Sequence, residues 1–154
     1  MCLPILDDLY LSHLMNADNQ SGHTLACVAL PTCGLAMAEA ERYMPRFLEL
    51  FNALKLRHQI EHQPITLRIT GCPNGCARPY LAEIALTGRA PGLYNLYLGG
   101  SRKGDRLAKL HKSNISESVI LETLDSLMSR YGKERMKDED FGDFLYRSGV
   151  LNDQ

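Results

Sequence analysis

The stretch Ile65–Cys76, with the sequence ITLRITGCPNGC, decides the fold of this chain because it joins a predicted strand to a pair of cysteines. From Ile65 to Thr70 apolar side chains alternate with polar ones, which is the pattern of a strand with one buried face. The pair Cys72 and Cys76 follows in a segment rich in Gly and Pro. The sequence therefore predicts that two thiols lie at the end of a strand.

Two helices are predicted on either side of this strand. Apolar residues recur at helical spacing over Met37–Leu54. Pro45 lies inside this stretch and removes a backbone donor, so we expect a kink or a break at the residue before it. A second helix is predicted over 117–131, with a capping box that begins at Asn114 and with its end at Gly132.

A hairpin completes the predicted architecture. Glu83–Thr87 and Tyr94–Leu98 have the composition of strands, and the turn-forming stretch Gly88–Gly92 separates them. We expect these strands to pair in an antiparallel manner. Together the elements predict a mixed α/β (α+β) fold, with a small mixed sheet flanked by helices.

The composition limits the class of protein. The 154 residues include 17 basic and 18 acidic side chains, for a formal net charge of −1. This balance gives no general electrostatic reason to expect nucleic acid or an anionic membrane as a partner. Apolar runs fall far short of the roughly 20 residues that cross a membrane, and the N-terminus lacks the pattern of a signal peptide. We therefore expect a cytoplasmic protein.

The five cysteines are the most informative residues in the composition. Five residues separate Cys27 from Cys33, three separate Cys72 from Cys76, and Cys2 stands alone as an incidental terminal thiol. In a reducing compartment, two such pairs favour a metal site over disulfides. The first pair is wider than structural zinc pairs usually are, whereas iron–sulfur clusters tolerate irregular spacing. We rank a cluster above zinc, zinc above a redox dithiol, and all three above four inert core cysteines.

The second pair has a specific predicted geometry. Pro73 suits the first position of a helix, which would place Cys72 at the cap and Cys76 one turn further on. Both sulfur atoms would then lie on one side, near backbone N–H groups that favour a thiolate. Gly75 would allow a close approach of the backbone.

These residues resemble the signature of the sirohaem-containing nitrite and sulfite reductases. The resemblance consists of Thr70–Cys72, Cys76 after three residues, and Glu83–Leu86 after six more. It covers roughly Cys27–Val150 and also includes the following segments: Pro31–Glu41, Tyr94–Leu96, Leu98–Gly100 and Phe141–Phe144. The motif Phe141–Phe144 favours the haemoprotein (beta) subunit of the NADPH-dependent sulfite reductases over the ferredoxin type. The resemblance implies that the chain has the fold of the C-terminal part of this family.

The resemblance also implies cofactors and a reaction. The implied ligands of a four-iron, four-sulfur (4Fe-4S) cluster are Cys27, Cys33, Cys72 and Cys76. The thiolate of Cys76 would also bridge to the sirohaem iron as its axial ligand. In such enzymes a flavoprotein (alpha) subunit delivers electrons from NADPH, and sulfite is reduced to sulfide for cysteine biosynthesis in sulfate assimilation.

The chain departs from the family in length. The basic residues that bind sulfite and most carboxylates of sirohaem lie upstream of the first cysteine pair in the family, where this chain has 26 residues. We therefore expect a C-terminal fragment that is catalytically incompetent without the missing N-terminal portion of the haemoprotein. The alternative is a non-catalytic module that holds a cluster or zinc and associates with the flavoprotein or with that missing portion.

Three further residues are candidate cofactor contacts. Arg102 and Lys103 belong to a basic run after Gly100, and they either neutralise carboxylates of sirohaem or form a solvated surface. Asn74 either donates a hydrogen bond near the cluster or completes a turn. For His58 and His62, four residues apart, the expected role is that of surface histidines at a helix end.

The residue patterns and the resemblance together divide the chain into three segments. Residues 1–24 are expected to form an N-terminal helix and loop, or a poorly packed remnant. Residues 25–132 would be the domain that binds the iron–sulfur cluster and sirohaem. Residues 133–154 would be a charged linker and a C-terminal tail, because seven of the eight residues over Lys133–Asp140 are charged.

Overall fold

A computed structural model describes residues 23–151 of the chain. The predictions for Cys2, for the N-terminal helix and for most of segment 1–24 lie outside the described residues. One five-stranded sheet organises the rest, and its strands follow each other in space in the order of the sequence. The strands are β1 (Thr24–Ala26), β2 (Leu67–Thr70), β3 (Ile84–Ala90), β4 (Leu93–Leu98) and β5 (Lys109–Ser116).

The sheet is mixed, as the sequence predicts. Strands β1, β2 and β3 run parallel, with Ala26 opposite Ile69 and Ile69 opposite Leu86. Strands β3, β4 and β5 are antiparallel to each other. A parallel pair needs a long return connection. The segment 71–83, which contains the second cysteine pair, therefore has to run back along the sheet from the end of β2 to the start of β3.

Helices cover one face of the sheet. These are α1 (Met44–Arg57), α2 (Glu117–Glu134) and the short α3 (Phe141–Arg147), and a single turn of 3-10 helix spans Pro79–Leu81. Fully buried apolar residues from the strands and helices form one core, which includes the following side chains: Phe47, Phe51, Leu67, Ile69, Ile84, Leu86, Leu96, Leu124, Met128, Phe141 and Phe144. The opposite face of the sheet is left for the return connection.

The first helix begins later than its apolar pattern predicts. Residues before Met44 form turns, and the helix then continues to Arg57 rather than ending at Leu54. Pro45 lies in the first helical turn, where backbone N–H groups have no acceptor within the helix. The N–H that proline lacks therefore costs the helix no hydrogen bond. The predicted interruption is therefore the start of the helix, and residues 27–43 before it form turns and irregular structure.

The second helix has a different cap and a later end than predicted. Ser116 is the N-cap residue, while Asn114 belongs to β5 with a φ of 56°. Asn114 donates its backbone N–H to Oδ1 of Asn95 at 2.9 Å, so the predicted capping box is wrong. The helix also continues through Gly132, where a Cβ atom would lie 2.9 Å from the carbonyl oxygen of His58. Glycine at this position permits close packing and does not end the helix.

The hairpin is confirmed, although its turn is shorter than predicted. Strand β3 runs on to Ala90, and only Pro91 and Gly92 connect it to β4. The strands β1 and β5 and the helix α3 were not predicted. Strand β1 has only three residues, and β5 is exposed along most of its length, so neither shows the alternation that identifies a half-buried strand.

No helix within residues 23–151 is both long enough and apolar enough to cross a membrane.

Candidate metal centre

The two cysteine pairs lie on loops that leave the sheet at the same edge. Cys27 is the first residue after β1, and Gly71 and Cys72 follow β2 directly. Because β1 and β2 are parallel neighbours, their carboxyl ends lie at the same end of the sheet, and both loops start there. Strand order therefore brings the starts of the two loops that carry the pairs to the same end of the sheet. Cys27, Cys33, Cys72 and Cys76 are all free thiols.

Hydrogen-bond donors converge on the sulfur atom of Cys27. The backbone N–H of Gly71 donates to Sγ at 3.2 Å, and Oγ1 of Thr70 lies 3.5 Å from the same atom. The backbone N–H of Cys27 itself donates to Ile69 at 3.1 Å, which extends the β1–β2 pairing by one residue. Donors of this kind stabilise a thiolate and tune the potential of a metal bound to it.

Gly71 is the point at which the two cysteine loops meet. Its carbonyl oxygen accepts hydrogen bonds from the backbone N–H groups of Met37 at 2.8 Å and Ala38 at 3.0 Å. A Cβ atom at Gly71 would lie 2.5 Å from Cβ of Ala29 and 2.7 Å from the carbonyl oxygen of Ala38. Only glycine therefore lets the first loop pack directly on the start of the second.

Cys33 lies on a tight turn of the first loop. Its backbone N–H donates to the carbonyl oxygen of Ala29 at 2.7 Å, and its carbonyl oxygen accepts from Ala36 at 3.1 Å. Ala29 is fully buried and Cys33 is half-buried. Because Ala29 and Ala36 both pack against the Cβ position of Gly71, the turn that carries Cys33 is held beside the start of the second loop.

The segment between Cys72 and Cys76 is not a helix, so this prediction is wrong. It is a sequence of turns, with a backbone hydrogen bond from Gly75 to Cys72 at 3.4 Å and one from Arg78 to Gly75 at 2.8 Å. Gly75 has a φ of 70°, which no residue of a right-handed helix adopts. As a result Cys72 is buried while Cys76 and Asn74 are exposed.

A buried carboxylate closes the base of the second cysteine loop. Glu83 is fully buried, and its Oε2 accepts from the backbone N–H of Thr66 at 2.8 Å and lies 3.1 Å from Oγ1 of Thr66. Its Oε1 accepts from the backbone N–H of Gly142 at 2.8 Å. Glu83 therefore ties together the chain before β2, the start of β3 and helix α3. The sequence predicts only that Glu83 belongs to the family motif. Its position as a single acid between two apolar residues could have indicated a buried carboxylate.

Burial has an electrostatic consequence at Glu83. Removal from water raises the pKa of this carboxyl above its usual value, and the nearby Asp140 adds to this effect. The hydrogen bonds from Gly142 and Thr66 act in the opposite direction and favour the charged form. The loop is thus anchored by an acid whose hydrogen bonds only partly offset the cost of its burial.

The predicted contacts Arg102 and Lys103 lie on the loop between β4 and β5. Nε of Arg102 is 3.5 Å from Oδ1 of Asp140, and the backbone N–H of Lys103 donates to Oγ of Ser101 at 3.1 Å. Both side chains are exposed. This loop contacts the return connection between β2 and β3 through Ala108, whose backbone N–H donates to the carbonyl oxygen of Tyr80 at 2.8 Å.

His58 is in hydrogen-bond contact with Asp125, and its Nε2 lies 2.8 Å from Oδ1. His62 lies 3.5 Å from Glu61 and is largely exposed. The exposure of His62 agrees with the surface role predicted for it, whereas the side chain of His58 is only 16% exposed and departs from that prediction. Within residues 23–151, no three His, Cys, Asp or Glu side chains are grouped closely enough to hold a single metal ion.

The donor set and its surroundings fit an iron–sulfur cluster. Four thiols on two loops of one sheet edge are the ligand type that such clusters use. The hydrogen bonds that converge on Cys27 are the kind of outer contact that supports a cluster ligand. Cys76 is exposed beside the buried Cys72, so its sulfur is accessible to a further group.

Comparison with known proteins gives consistent matches. No family model matches the chain. It is 56% identical over 131 residues to the sulfite reductase (NADPH) hemoprotein beta-component of Nitrosomonas europaea, covering 85% of this chain and 23% of that protein. The protein of the same name from Nitrosomonas eutropha is 49% identical over 154 residues, which cover 97% of this chain and 27% of that protein. The one from Shewanella frigidimarina is 60% identical over 130 residues, which cover 84% of this chain and 23% of that protein. The chain spans about a quarter of the length of these curated relatives.

A solved structure shares the fold. The NirA protein of Mycobacterium tuberculosis matches with a TM-score of 0.70, over 92% of this chain and 29% of that protein. The sequence identity is 22%, so this likeness concerns the fold alone. Together with the mixed sheet and its helices, it confirms the predicted fold class.

Proposed function

Over 84–97% of its length this chain is homologous to part of the sulfite reductase (NADPH) hemoprotein beta-components, as its motifs predict, and we propose that it is the cluster-bearing segment of a sulfite reductase. In this proposal the segment 25–132 holds a 4Fe-4S cluster through four thiolates. The four ligands are Cys27, Cys33, Cys72 and Cys76.

The observation that carries the proposal is the meeting of the two cysteine loops at Gly71. This residue donates to Sγ of Cys27 and precedes Cys72, while its carbonyl oxygen holds the loop that contains Cys33. These contacts of Gly71 support the proposal, because they link the loop that carries Cys27 and Cys33 to the residue before Cys72. Cys76 follows on the exposed turn, where its thiolate would bind both the cluster and the iron of sirohaem.

When bound, the cluster and sirohaem supply stored electrons for the reduction of sulfite to sulfide. The chain's own residues orient these groups and set the polarity around them. Thr70 and Gly71 provide hydrogen-bond donors at the sulfur of Cys27. Ala29 and Ala38, both fully buried, pack against Gly71 on the inner side of the loops.

The remaining parts of the reaction would belong to parts of the enzyme outside this segment. A flavoprotein (alpha) subunit would supply electrons from NADPH, and the N-terminal portion of the haemoprotein would provide the basic groups that bind sulfite. The assembled enzyme would act in the cytoplasm and feed cysteine biosynthesis. By itself, the segment would hold its cofactors without completing the reaction.

Anaerobic reconstitution with iron and sulfide tests the cluster. We expect a brown protein with about four irons per chain. Substitution of any one of the four ligands by serine is expected to lower the iron content and destabilise the cluster, whereas the matched variant Cys2→Ser is expected to retain it. A colourless chain that binds one zinc, or a loss of iron in Cys2→Ser equal to that in the other variants, would contradict the proposal.

The reaction is tested in a second experiment. The reconstituted chain is loaded with sirohaem, mixed with the N-terminal portion of a homologous haemoprotein, and assayed for sulfite-dependent oxidation of reduced viologen. Activity is expected only from the mixture, and it is expected to be lost in Cys76→Ser. If the mixture is inactive although the cluster and sirohaem are bound, the chain is a non-catalytic module. Co-purification with the flavoprotein subunit, with and without Cys76→Ser, then shows whether that association depends on the cluster.

A further inference from the structure

Two arginines meet on the face of the sheet that the helices leave open. Arg68 alternates with the buried Leu67 and Ile69 of β2, so its side chain lies on the opposite face from the core. Its Nη1 donates to the carbonyl oxygen of Arg78 at 2.9 Å. Arg78 follows the exposed Cys76 by two residues. The pair therefore lies on the strand before, and the turn after, the second cysteine pair.

Among the described residues, no carboxylate lies within ion-pair distance of either guanidinium group. By contrast, Arg46 lies 2.7 Å from Glu117 and Arg147 lies 2.6 Å from Glu139. Burial first, and then the positive charge of Arg78, lowers the pKa of Arg68 below its usual value. An anion bound between the two guanidinium groups would favour their charged forms and so oppose both effects.

The backbone of Arg78 is in an uncommon conformation. Its φ of 50° and ψ of 54° place it in the left-handed region, which a residue with a Cβ adopts at an energetic cost. The hydrogen bond from Arg68 and the bond from the N–H of Leu81 at 3.2 Å hold its carbonyl oxygen in place. Conformations of this kind persist where the surroundings impose them, and they are concentrated at binding sites.

The two residues that pair with Arg68 on the neighbouring strands are apolar, and one of them is exposed. Leu25 of β1 lies opposite Arg68 in the register and is 46% exposed, and Ala85 of β3 lies opposite it on the other side. An exposed leucine beside two unpaired guanidinium groups suits a flat apolar ring system that carries carboxylates. The planar guanidinium of arginine can bind a carboxylate in a bidentate manner.

We propose that Arg68 and Arg78 form a carboxylate-binding site for the side chains of a tetrapyrrole that lies over Leu25 beside Cys76. The inference rests on the proposed function, because it uses the thiolate of Cys76 to place the ring. It adds two residues of this chain to the contacts of the cofactor. The site binds the anionic substituents of the ring and is independent of its iron.

The test measures binding of uroporphyrin, an iron-free tetrapyrrole with eight carboxylates, to the 154-residue chain without iron or sulfide. Fluorescence titration of the wild type is compared with Arg68→Gln, Arg78→Gln and the double variant. Arg130→Gln serves as the matched control, since it removes one positive charge from helix α2, which packs on the other face of the sheet. Circular dichroism checks that each variant is folded, and the exposed Arg78 can be changed without disturbing the core.

Each single substitution is expected to weaken binding about tenfold, and the double variant more. Substitution of either Arg68 or Arg78 is also expected to reduce the salt dependence of binding. The control Arg130→Gln is expected to bind uroporphyrin like the wild type. The proposal is overturned if the wild type does not bind uroporphyrin, or if Arg68→Gln and Arg78→Gln bind as tightly as Arg130→Gln. Because the probe has no iron and the chain has no cluster, these outcomes are separate from the reconstitution test of the proposed function.

Discussion

The backbone N–H of Gly71 donates a hydrogen bond of 3.2 Å to Sγ of Cys27, and this contact joins the first residue after β2 to the first residue after β1. It exists because the two strands are parallel neighbours in register. Thr70 lies 3.5 Å from the same sulfur. The proposed metal centre therefore begins at the strand ends themselves, before either loop has departed from the sheet.

Gly71→Ala is expected to separate the two cysteine loops. The added Cβ would lie 2.5 Å from that of Ala29, so the first loop must move and the free energy of unfolding should fall by about 1–3 kcal/mol. Urea denaturation measures the loss, and iron content after reconstitution should fall with it. Gly34→Ala is the matched control, because nothing lies within 4 Å of a Cβ at that position. Equal stability of the two variants would refute this account of Gly71.

Thr70→Val is expected to make the reduction potential of the reconstituted cluster more negative. The substitution keeps the shape of a fully buried side chain but removes the hydroxyl at the sulfur of Cys27. Fewer hydrogen bonds to a ligand sulfur favour the oxidised cluster, since the extra negative charge on reduction is less well stabilised. Thr87→Val is the control, because Thr87 lies opposite Thr70 in the register. Redox titration followed by EPR spectroscopy should show a shift in Thr70→Val that exceeds that in Thr87→Val.

Glu83→Gln is expected to destabilise the fold by about 1–3 kcal/mol at neutral pH. The amide retains one acceptor oxygen, so either Thr66 or Gly142 loses the acceptor of its N–H group. Chemical denaturation measures this change, and Glu122→Gln on the exposed surface of helix α2 provides the control. If both variants unfold at the same urea concentration, the carboxylate does not anchor the loop as described.

The stability of the wild type relative to Glu83→Gln is expected to depend on pH. Burial raises the pKa of Glu83 in the folded state above its usual value of 4.5, so the folded state binds the proton more tightly than the unfolded state. The relative free energy of unfolding should therefore be highest below about pH 4.5 and fall as the pH rises through the folded pKa. Above that pKa it should be constant. Denaturation curves across this range measure the difference, and a difference that rises with pH would have the wrong sign.

Parts of the fold were accessible from the sequence for a clear reason. The strand ending at Thr70 and the hairpin after Glu83 bury one or both faces, so their side-chain patterns follow the structure directly. Strand β5 could not be predicted in this way, because it is exposed along most of its length and is defined by its pairing with β4. The start of helix α1 was misplaced because its apolar pattern extends into turns that pack on the same core.

The sequence by itself determined which residues are the candidate thiol ligands, because the spacing of the two cysteine pairs and the motif around Cys72 are properties of the chain alone. The tertiary structure decided how these thiols are presented. The left-handed backbone of Gly75 replaces the predicted helical turn and leaves Cys76 exposed. The contacts of Gly71 with Cys27 and of Glu83 with Gly142 join residues 44 and 59 positions apart, respectively. Such contacts arise only when packing brings distant segments together, and no local pattern in the sequence encodes them.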